Sequence, residues 1–177
     1  MLGLVFTEFI EMVEARFSPE VADQVLSATG LDHGGAYTAV GYYPAEELQR
    51  MVVELVQRTG EPVDTLVHSF GQHLAQRFSQ AHREYFSPHQ HPFDLLAAID
   101  GHIHVEVRKL YSQAQLPQFE VLERSPGRLR LRYRSERRLQ VLALGLIDGV
   151  LALYGRDCQV SMTPCDDGAV FLLEATA

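Results

Sequence analysis

The chain has few of the features that mark secreted, membrane or nucleic-acid-binding proteins. Its 177 residues include only two cysteines, and no basic segment precedes an apolar run at the N-terminus. These absences argue against a secretory signal peptide and favour reduced thiols in a cytoplasmic protein. Basic residues are also scarce, 15 against 23 acidic ones, and the net charge of -8 argues against nonspecific binding to nucleic acid.

Long apolar runs are missing as well. The longest, near residues 141–154, is interrupted by Asp148 and is too short to span a bilayer, so we expect no membrane association. No internal repeat or low-complexity tract is present. A chain of this length with ordinary hydrophobic content is expected to form one domain, or two closely packed halves.

Hydrophobic periodicity predicts helices up to about residue 111. Ser18 and Pro19 have the pattern of an N-cap followed by proline at the first helical position, and Gly60 follows a helical segment as a terminator. The predicted helices cover 2–17, 19–28, 44–60, 61–78 and 93–111. The run 85–92 is predicted to be a loop.

The pattern changes after Pro117. Strands are predicted over 118–124, 129–135, 158–163 and 169–174, with a long apolar helix over 138–154 between the two pairs. A turn joins the strands of each pair. We therefore predict an α+β fold, in which a helical N-terminal part packs on a C-terminal part with an antiparallel sheet and a long helix.

The strand-like run RLRLRYRSER carries polar groups at the end of one face. Tyr133, Ser135 and Arg137 are spaced two residues apart, so on a strand their side chains share a face. Burying an arginine is costly unless an anion pairs with it. A guanidinium binds a planar carboxylate or phosphate through two parallel hydrogen bonds, and hydroxyl groups can add to them. This face is predicted to hold a ligand with two anionic groups and an apolar body.

The opposite face of the same run holds four arginines. They are Arg128, Arg130, Arg132 and Arg134. We interpret them as a solvated strand face, and a docking patch for an acidic partner is the alternative.

The Tyr133-x-Ser135-x-Arg137 motif, with His104 on a predicted helix upstream, resembles the haem nitric oxide/oxygen-binding (H-NOX) family, which is related to the haem domain of soluble guanylate cyclase. The segments MLGLVFTEFIEMVE, GGAYTAVGYYP and HVEVRKLYSQAQLPQF resemble that family too, so the resemblance covers nearly the whole chain. It implies a single H-NOX-like domain over 1–177. Its helical part would be about 1–60, its haem-binding α+β part about 61–177, and the haem would lie between them.

The resemblance implies haem b, bound noncovalently with ferrous iron, and the sequence has no C-x-x-C-H attachment motif. A lone histidine at the edge of a buried helix face is usually a hydrogen-bonded boundary residue. The resemblance instead assigns His104 as the iron ligand, with His102 as the rival. It also implies that Tyr133, Ser135 and Arg137 bind the propionates, and that Pro117 packs against the porphyrin and distorts it.

The resemblance further implies which gas binds. Members that hold oxygen carry a tyrosine five residues after the motif arginine, and this chain has Leu142 there. The other residues implied near the gas are apolar as well: Val5, Phe9, Leu74, Phe78 and Leu146. The implied function is a sensor, not an enzyme, that binds nitric oxide, and also carbon monoxide, and discriminates against oxygen. An oxygen-binding haem sensor is the alternative, and the implied protein partner is a histidine kinase or a cyclic-di-GMP enzyme.

Two H-x-H pairs leave an alternative from another class. With nearby aspartates they could hold a metal ion for hydrolysis. The i, i+2 spacing suits a strand, whereas the second pair lies in a helical pattern. The residues are His89, His91, Asp94, Asp100, His102 and His104. A cofactor-free interaction module is a third interpretation, and it leaves Arg137 without an explained anion.

The two cysteines, Cys158 and Cys165, have no third cysteine near them, and every histidine precedes residue 105. A four-ligand zinc site would therefore need distant partners. We interpret the pair as free thiols rather than as a zinc site or a redox disulfide.

Overall fold

The computed structural model describes residues 1–31 and 33–176. The chain divides into two compact units, Met1–Phe70 and Gly71–Ala177. The helices are α1 Gly3–Arg16, α2 Pro19–Ala28, α3 Ala45–Thr59, α4 Val63–Ala81, α5 Arg83–Phe86, α6 Pro92–Ala98, α7 His104–Leu110 and α8 Gln140–Leu153. The strands are β1 Gln118–Ser125, β2 Arg128–Arg134, β3 Cys158–Cys165 and β4 Gly168–Ala175. Within the described ranges, no helix is both long and apolar enough to cross a membrane.

The helix boundaries of the first unit follow local sequence signals. Ser18 caps α2, because its hydroxyl accepts a hydrogen bond from the Val21 amide at 3.3 Å, and Pro19 opens the helix. Gly60 ends α3 in the left-handed conformation, with φ of 73°. The structure therefore confirms both helix ends that the sequence predicted. The helices bury an apolar core that includes Phe6, Phe9, Val13, Met51 and Leu55.

The second unit is built on a four-stranded sheet with the order β1-β2-β4-β3. All three strand pairings are antiparallel, so two hairpins meet through β2 and β4. Alternate residues of these central strands are buried in the same core as residues of α8. That core contains Leu129, Leu131, Tyr133, Ala169, Phe171, Leu173, Ile147, Val150 and Leu151. The α+β class and the long helix between two hairpins are therefore confirmed.

The other face of β2 carries the arginine row. Arg128 lies 3.5 Å from Glu123 and 3.8 Å from Glu174. Arg134 lies 3.2 Å from Glu120 and 3.1 Å from Asp167. Carboxylates on the neighbouring strands and turn thus neutralise much of the row, as expected of a solvated strand face.

Helices α4 and α8 approach each other closely through small residues. A methyl group built on Gly149 would lie 2.6 Å from the Ala75 Cβ and 3.1 Å from the Gln72 Cα. A methyl group on Gly71 would clash with the Leu142 carbonyl oxygen. The two helix backbones therefore meet where these glycines leave space.

The predicted helix over 93–111 is helical over nearly its whole length, but it is not one α-helix. A π-helical segment, Ile99–Ile103, separates α6 from α7, which begins at His104. Gly101 lies inside this segment and weakens the local preference for an α-helix. The predicted loop over 85–92 is also partly helical, since α5 extends to Phe86.

The predicted strand over 129–135 ends one residue early, and its extension to Arg137 is wrong. The Ser135 amide bonds to the Asp167 carbonyl at 3.1 Å, and the Arg138 amide then bonds back to the Ser135 carbonyl at 3.1 Å. Arg138 has a positive φ of 49°. Residues 135–138 therefore form a turn, and Arg137 does not share a strand face with Tyr133.

Candidate functional site

His104 lies at the junction of the π-helical segment and α7. Its Nδ1 is 3.1 Å from Oδ1 of Asp100, and its side chain is only 12% exposed. Burial lowers the pKa of His104 below its usual value, although the Asp100 carboxylate and the Pro117 carbonyl oppose this change. The ring is therefore neutral near pH 7, which is the form of histidine that ligates metals.

Asp100 is the residue of this group that sequence reasoning did not assign to the histidine. Metal-ligating histidines usually donate their other ring N–H to a carboxylate or carbonyl, which fixes the ring and its tautomer. Asp100 is suited to this role, because it leaves Nε2 as the nitrogen for a metal. The four-residue spacing between Asp100 and His104, which brings side chains together on a helix, was the available signal. π-Helical segments are themselves frequent at functional sites.

Tyr133, Ser135 and Arg137 come together through the turn that follows β2. Tyr133 is 2% exposed. Burial raises the pKa of the Tyr133 phenol, and the Ser135 hydroxyl and the Arg137 charge act against that increase. The Arg137 amide donates to the Ser135 hydroxyl at 3.2 Å. The three residues are therefore brought together by a turn and not by a shared strand face, and their role as a ligand-binding group stays a prediction.

Gln115 holds the Arg137 side chain. Arg137 Nη1 donates to the Gln115 carbonyl at 3.2 Å, and Nη2 donates to Gln115 Oε1 at 2.6 Å. Sequence reasoning did not predict this contact, because the two residues are 22 positions apart. No spacing rule connects a loop glutamine with an arginine across a hairpin.

Phe119 lies between the histidine and Tyr133. Its ring centroid is 6.1 Å from that of His104 and 5.3 Å from that of Tyr133. Pro117 precedes it in the segment between α7 and β1, and the Pro117 carbonyl acts on His104. The imidazole, the apolar ring and the phenol are therefore neighbours in the second unit.

The predicted apolar positions near the gas lie on three helices. Leu74 is buried and Phe78 half-buried on α4, while Leu142 and Leu146 are half-buried on α8. All four belong to the second unit. The remaining two, Val5 and Phe9, lie on α1 in the first unit, where Phe9 packs edge-to-face on Phe70 at 5.3 Å. Their assignment to a gas site stays a prediction.

The H-x-H pairs do not form a metal centre in the described part of the chain. His91 accepts a hydrogen bond from the Phe93 amide at 3.2 Å and so caps α6. His102 is exposed and packs edge-to-face near Tyr85, with 6.2 Å between ring centroids. Across residues 1–31 and 33–176, no group of three or more His, Cys, Asp or Glu side chains is placed to hold a metal ion. The metal-dependent hydrolase is therefore not favoured.

The cysteines occupy the two ends of β3, Cys158 and Cys165. Seven strand steps separate their Cα atoms by about 23 Å. A disulfide needs a separation below about 7 Å, so these two thiols do not pair within one chain. Burial also raises the pKa of the Cys158 thiol.

The donor set of the second unit fits a haem. A neutral, carboxylate-held imidazole suits an axial iron ligand, and an arginine with two neighbouring hydroxyl groups suits propionates. The Phe119 ring between them supplies apolar surface for a porphyrin. The residues are His104, Asp100, Phe119, Tyr133, Ser135 and Arg137.

Comparison with known proteins agrees with this chemistry. The profile of the family described as Haem-NO-binding matches residues 2–162. The fold is similar to that of the Fe(II) unliganded H-NOX protein from K. algicida, with 29% identity, a TM-score of 0.92, and coverage of 100% of this chain and 97% of that one. It is similar to the Fe(II)NO H-NOX protein from S. oneidensis, with 27% identity, a TM-score of 0.92 and full coverage of both chains at 100%.

A third similar structure is the IWP-051-bound H-NOX from Shewanella woodyi in the Fe(II)CO state. It shares 37% identity at a TM-score of 0.86, covering 99% of this chain and 95% of that one. A comparison with the curated proteins gave no match. The profile match extends over most of the chain, and His104 and residues 133–137 lie within it. The chain therefore belongs to the Haem-NO-binding (H-NOX) family, whose members are noncovalent haem-binding gas-sensor domains and not enzymes.

Proposed function

We propose that this chain senses nitric oxide through a ferrous haem, whose iron the His104 imidazole would hold. The observation that carries the proposal is the hydrogen bond of 3.1 Å between His104 Nδ1 and Asp100. It orients the ring and reserves Nε2 for iron, while burial keeps the imidazole neutral. When bound, the haem would supply the iron at which the gas is captured.

Tyr133, Ser135 and Arg137 are the proposed propionate ligands. Arg137 would supply the positive charge, which acts on the Tyr133 phenol, and the Ser135 hydroxyl is held by the Arg137 amide. Charge-assisted hydrogen bonds of this kind are stronger than neutral ones, and they also orient the bound group. Pro117, whose carbonyl acts on His104, is the proposed contact with the porphyrin.

We further propose that the gas site discriminates against oxygen because its side chains offer no hydrogen-bond donor. The positions proposed to line it in the second unit are Leu74, Phe78, Leu142 and Leu146, all of which are apolar. Bound dioxygen is polar and gains from a donor, whereas nitric oxide binds ferrous haem tightly without one. The chain would therefore bind nitric oxide, and carbon monoxide, but not hold oxygen.

The proposed output is a conformational change that a partner protein detects. A gas can shift the population of two conformations only if it binds them with different affinity. We expect the change to begin at His104 and Pro117, since they connect the proposed iron site with α7 and β1. A histidine kinase or a cyclic-di-GMP enzyme is the proposed partner.

A gas-binding titration of the wild-type chain and of Leu142→Tyr tests the proposal. The wild-type ferrous protein should bind nitric oxide and form no stable oxygen complex in air. Leu142→Tyr adds a phenol at the position where oxygen-holding relatives have one, so it should gain a stable oxygen complex. Leu144→Tyr, on the same helix, is the control and should not. A stable oxygen complex in the wild-type protein would favour the oxygen-sensor alternative.

A further inference from the structure

Gln115, in the segment between α7 and β1, accepts two hydrogen bonds from the Arg137 guanidinium. Gln115 accepts from Nη1 through its backbone carbonyl at 3.2 Å and from Nη2 through its side-chain oxygen at 2.6 Å. The segment itself is folded, since the Ala114 amide bonds to the Tyr111 carbonyl at 2.9 Å. The main chain of Arg137 is fixed separately, by the bond from its amide to the Ser135 hydroxyl. Both ends of this long side chain are therefore restrained.

Two contacts leave most of the hydrogen-bonding capacity of Arg137 available. A guanidinium has five N–H donors, and Gln115 uses two, so three remain for an anion. A free arginine side chain loses considerable rotamer freedom when it binds a ligand. Because Gln115 restrains the guanidinium beforehand, that loss is smaller at the moment of binding.

The chemical nature of Gln115 matters as much as its position. Its two oxygens are neutral acceptors, so the guanidinium keeps its full positive charge. A carboxylate at the same place would orient the side chain equally well but would neutralise it, and it would compete with an incoming anion. A neutral amide is thus the acceptor that positions Arg137 without reducing its attraction for carboxylates.

We propose that Gln115 is a positioning residue for Arg137, and that it sets the affinity of this site for the carboxylates of its ligand. The inference rests on the proposed function, in which those carboxylates are the haem propionates. Gln115 acts only through Arg137. Its effect should therefore depend on the negative charge of the propionates, which a residue that merely maintains the fold would not require.

The test measures haem release from the full-length, haem-loaded protein to excess apomyoglobin. Gln115→Leu removes the side-chain acceptor, and Gln113→Leu is the control, since Gln113 is an exposed residue of the same segment. We expect Gln115→Leu to release haem about twofold to fivefold faster than the wild type, the size expected when an exposed charged hydrogen bond is lost. Gln113→Leu should release haem at the wild-type rate. Gln115→Glu should accelerate release as well, because its charge competes with the propionates.

A second measurement uses the same proteins reconstituted with haem dimethyl ester, whose propionates carry no charge. It distinguishes an effect of Gln115 on propionate binding from an effect on the fold alone. With the ester, Gln115→Leu should release the cofactor at the wild-type rate. Equal acceleration with haem and with the ester would overturn the inference, since Gln115 would then be structural only. The inference would also be overturned if Gln115→Leu behaved like Gln113→Leu while Arg137→Ala accelerated release, although the proposed propionate site would then stand. No effect of Arg137→Ala would overturn that site and the inference with it.

Discussion

Replacing Gly149 by alanine should destabilise the chain, although alanine is the better helix former. The new Cβ would lie 2.6 Å from the Ala75 Cβ, 3.1 Å from the Gln72 Cα and 3.2 Å from the Gln72 carbonyl oxygen. Carbon atoms in contact prefer a separation of about 3.5–4.0 Å, so α8 would have to move by about 1 Å from α4. Overpacking of this kind costs about 1–3 kcal/mol, while the helix propensity of alanine returns about 0.5–1 kcal/mol.

The net loss of up to about 2.5 kcal/mol corresponds to a decrease in Tm of up to about 10 °C for a chain of this size. Thermal unfolding followed by circular dichroism would measure it. Gly101→Ala is the control, because nothing lies within 4 Å of a Cβ at that position. Adding Ala75→Gly to Gly149→Ala should restore part of the stability, since it removes the nearest atom. A Tm for Gly149→Ala at or above that of the wild type would refute the close helix approach.

Three further outcomes follow from the geometry. Ser18→Ala should lower the stability of the chain by about 1 kcal/mol in urea unfolding, because the cap of the Val21 amide is lost, and Ser18→Asp should retain the wild-type stability. Burial holds the pKa of His104 below its ordinary 6.5 in the folded chain. As the pH falls, this histidine is therefore protonated in the unfolded chain before it is protonated in the folded one. The haem-free chain should therefore lose stability as the pH falls below about 6.5, and His104→Gln should reduce this dependence. Mild oxidation should leave Cys158 and Cys165 without an intrachain disulfide, and a mass loss of two hydrogens in the monomer would contradict the register of β3.

Signals that act over a few residues predicted the fold well. Ser18 with Pro19, and Gly60, marked helix ends that the structure confirms. The two hairpins and the apolar helix between them were also predictable, because their turns and periodicity are local. The pairing of β2 with β4 was not, since it joins strands that lie far apart in sequence and no local pattern encodes it.

Two departures from the sequence prediction occurred at the site. The helix over 93–111 had uninterrupted apolar periodicity, and periodicity cannot detect one wide π turn at Ile99–Ile103. Alternation in the sequence continues past the end of β2, so the predicted strand was too long. In the structure, the hydrogen bonds from the Ser135 amide to the Asp167 carbonyl and from the Arg138 amide to the Ser135 carbonyl form a turn there. After β2, the bond from Ser135 to the Asp167 carbonyl is a tertiary contact that alternation in sequence does not encode.

The motif residues were predictable from the resemblance of the chain to a family. The residues that hydrogen-bond to them, Asp100 and Gln115, were not predicted. His104, Tyr133, Ser135 and Arg137 stand in a recognisable order. Asp100 could have been found from its four-residue spacing to the histidine, but Gln115 approaches Arg137 only in three dimensions.

The measurement that tests the central claim most directly is the absorption spectrum of the purified, dithionite-reduced protein, before and after nitric oxide and then in air, with His104→Gly beside it. We predict a haem band that shifts with nitric oxide and no stable oxygen complex. In His104→Gly, the ferrous spectrum before nitric oxide should be altered and should return towards that of the wild type when imidazole is added. A protein that takes up no haem, even after reconstitution, or a ferrous spectrum that His104→Gly leaves unchanged, would contradict the assignment of His104 as the iron ligand.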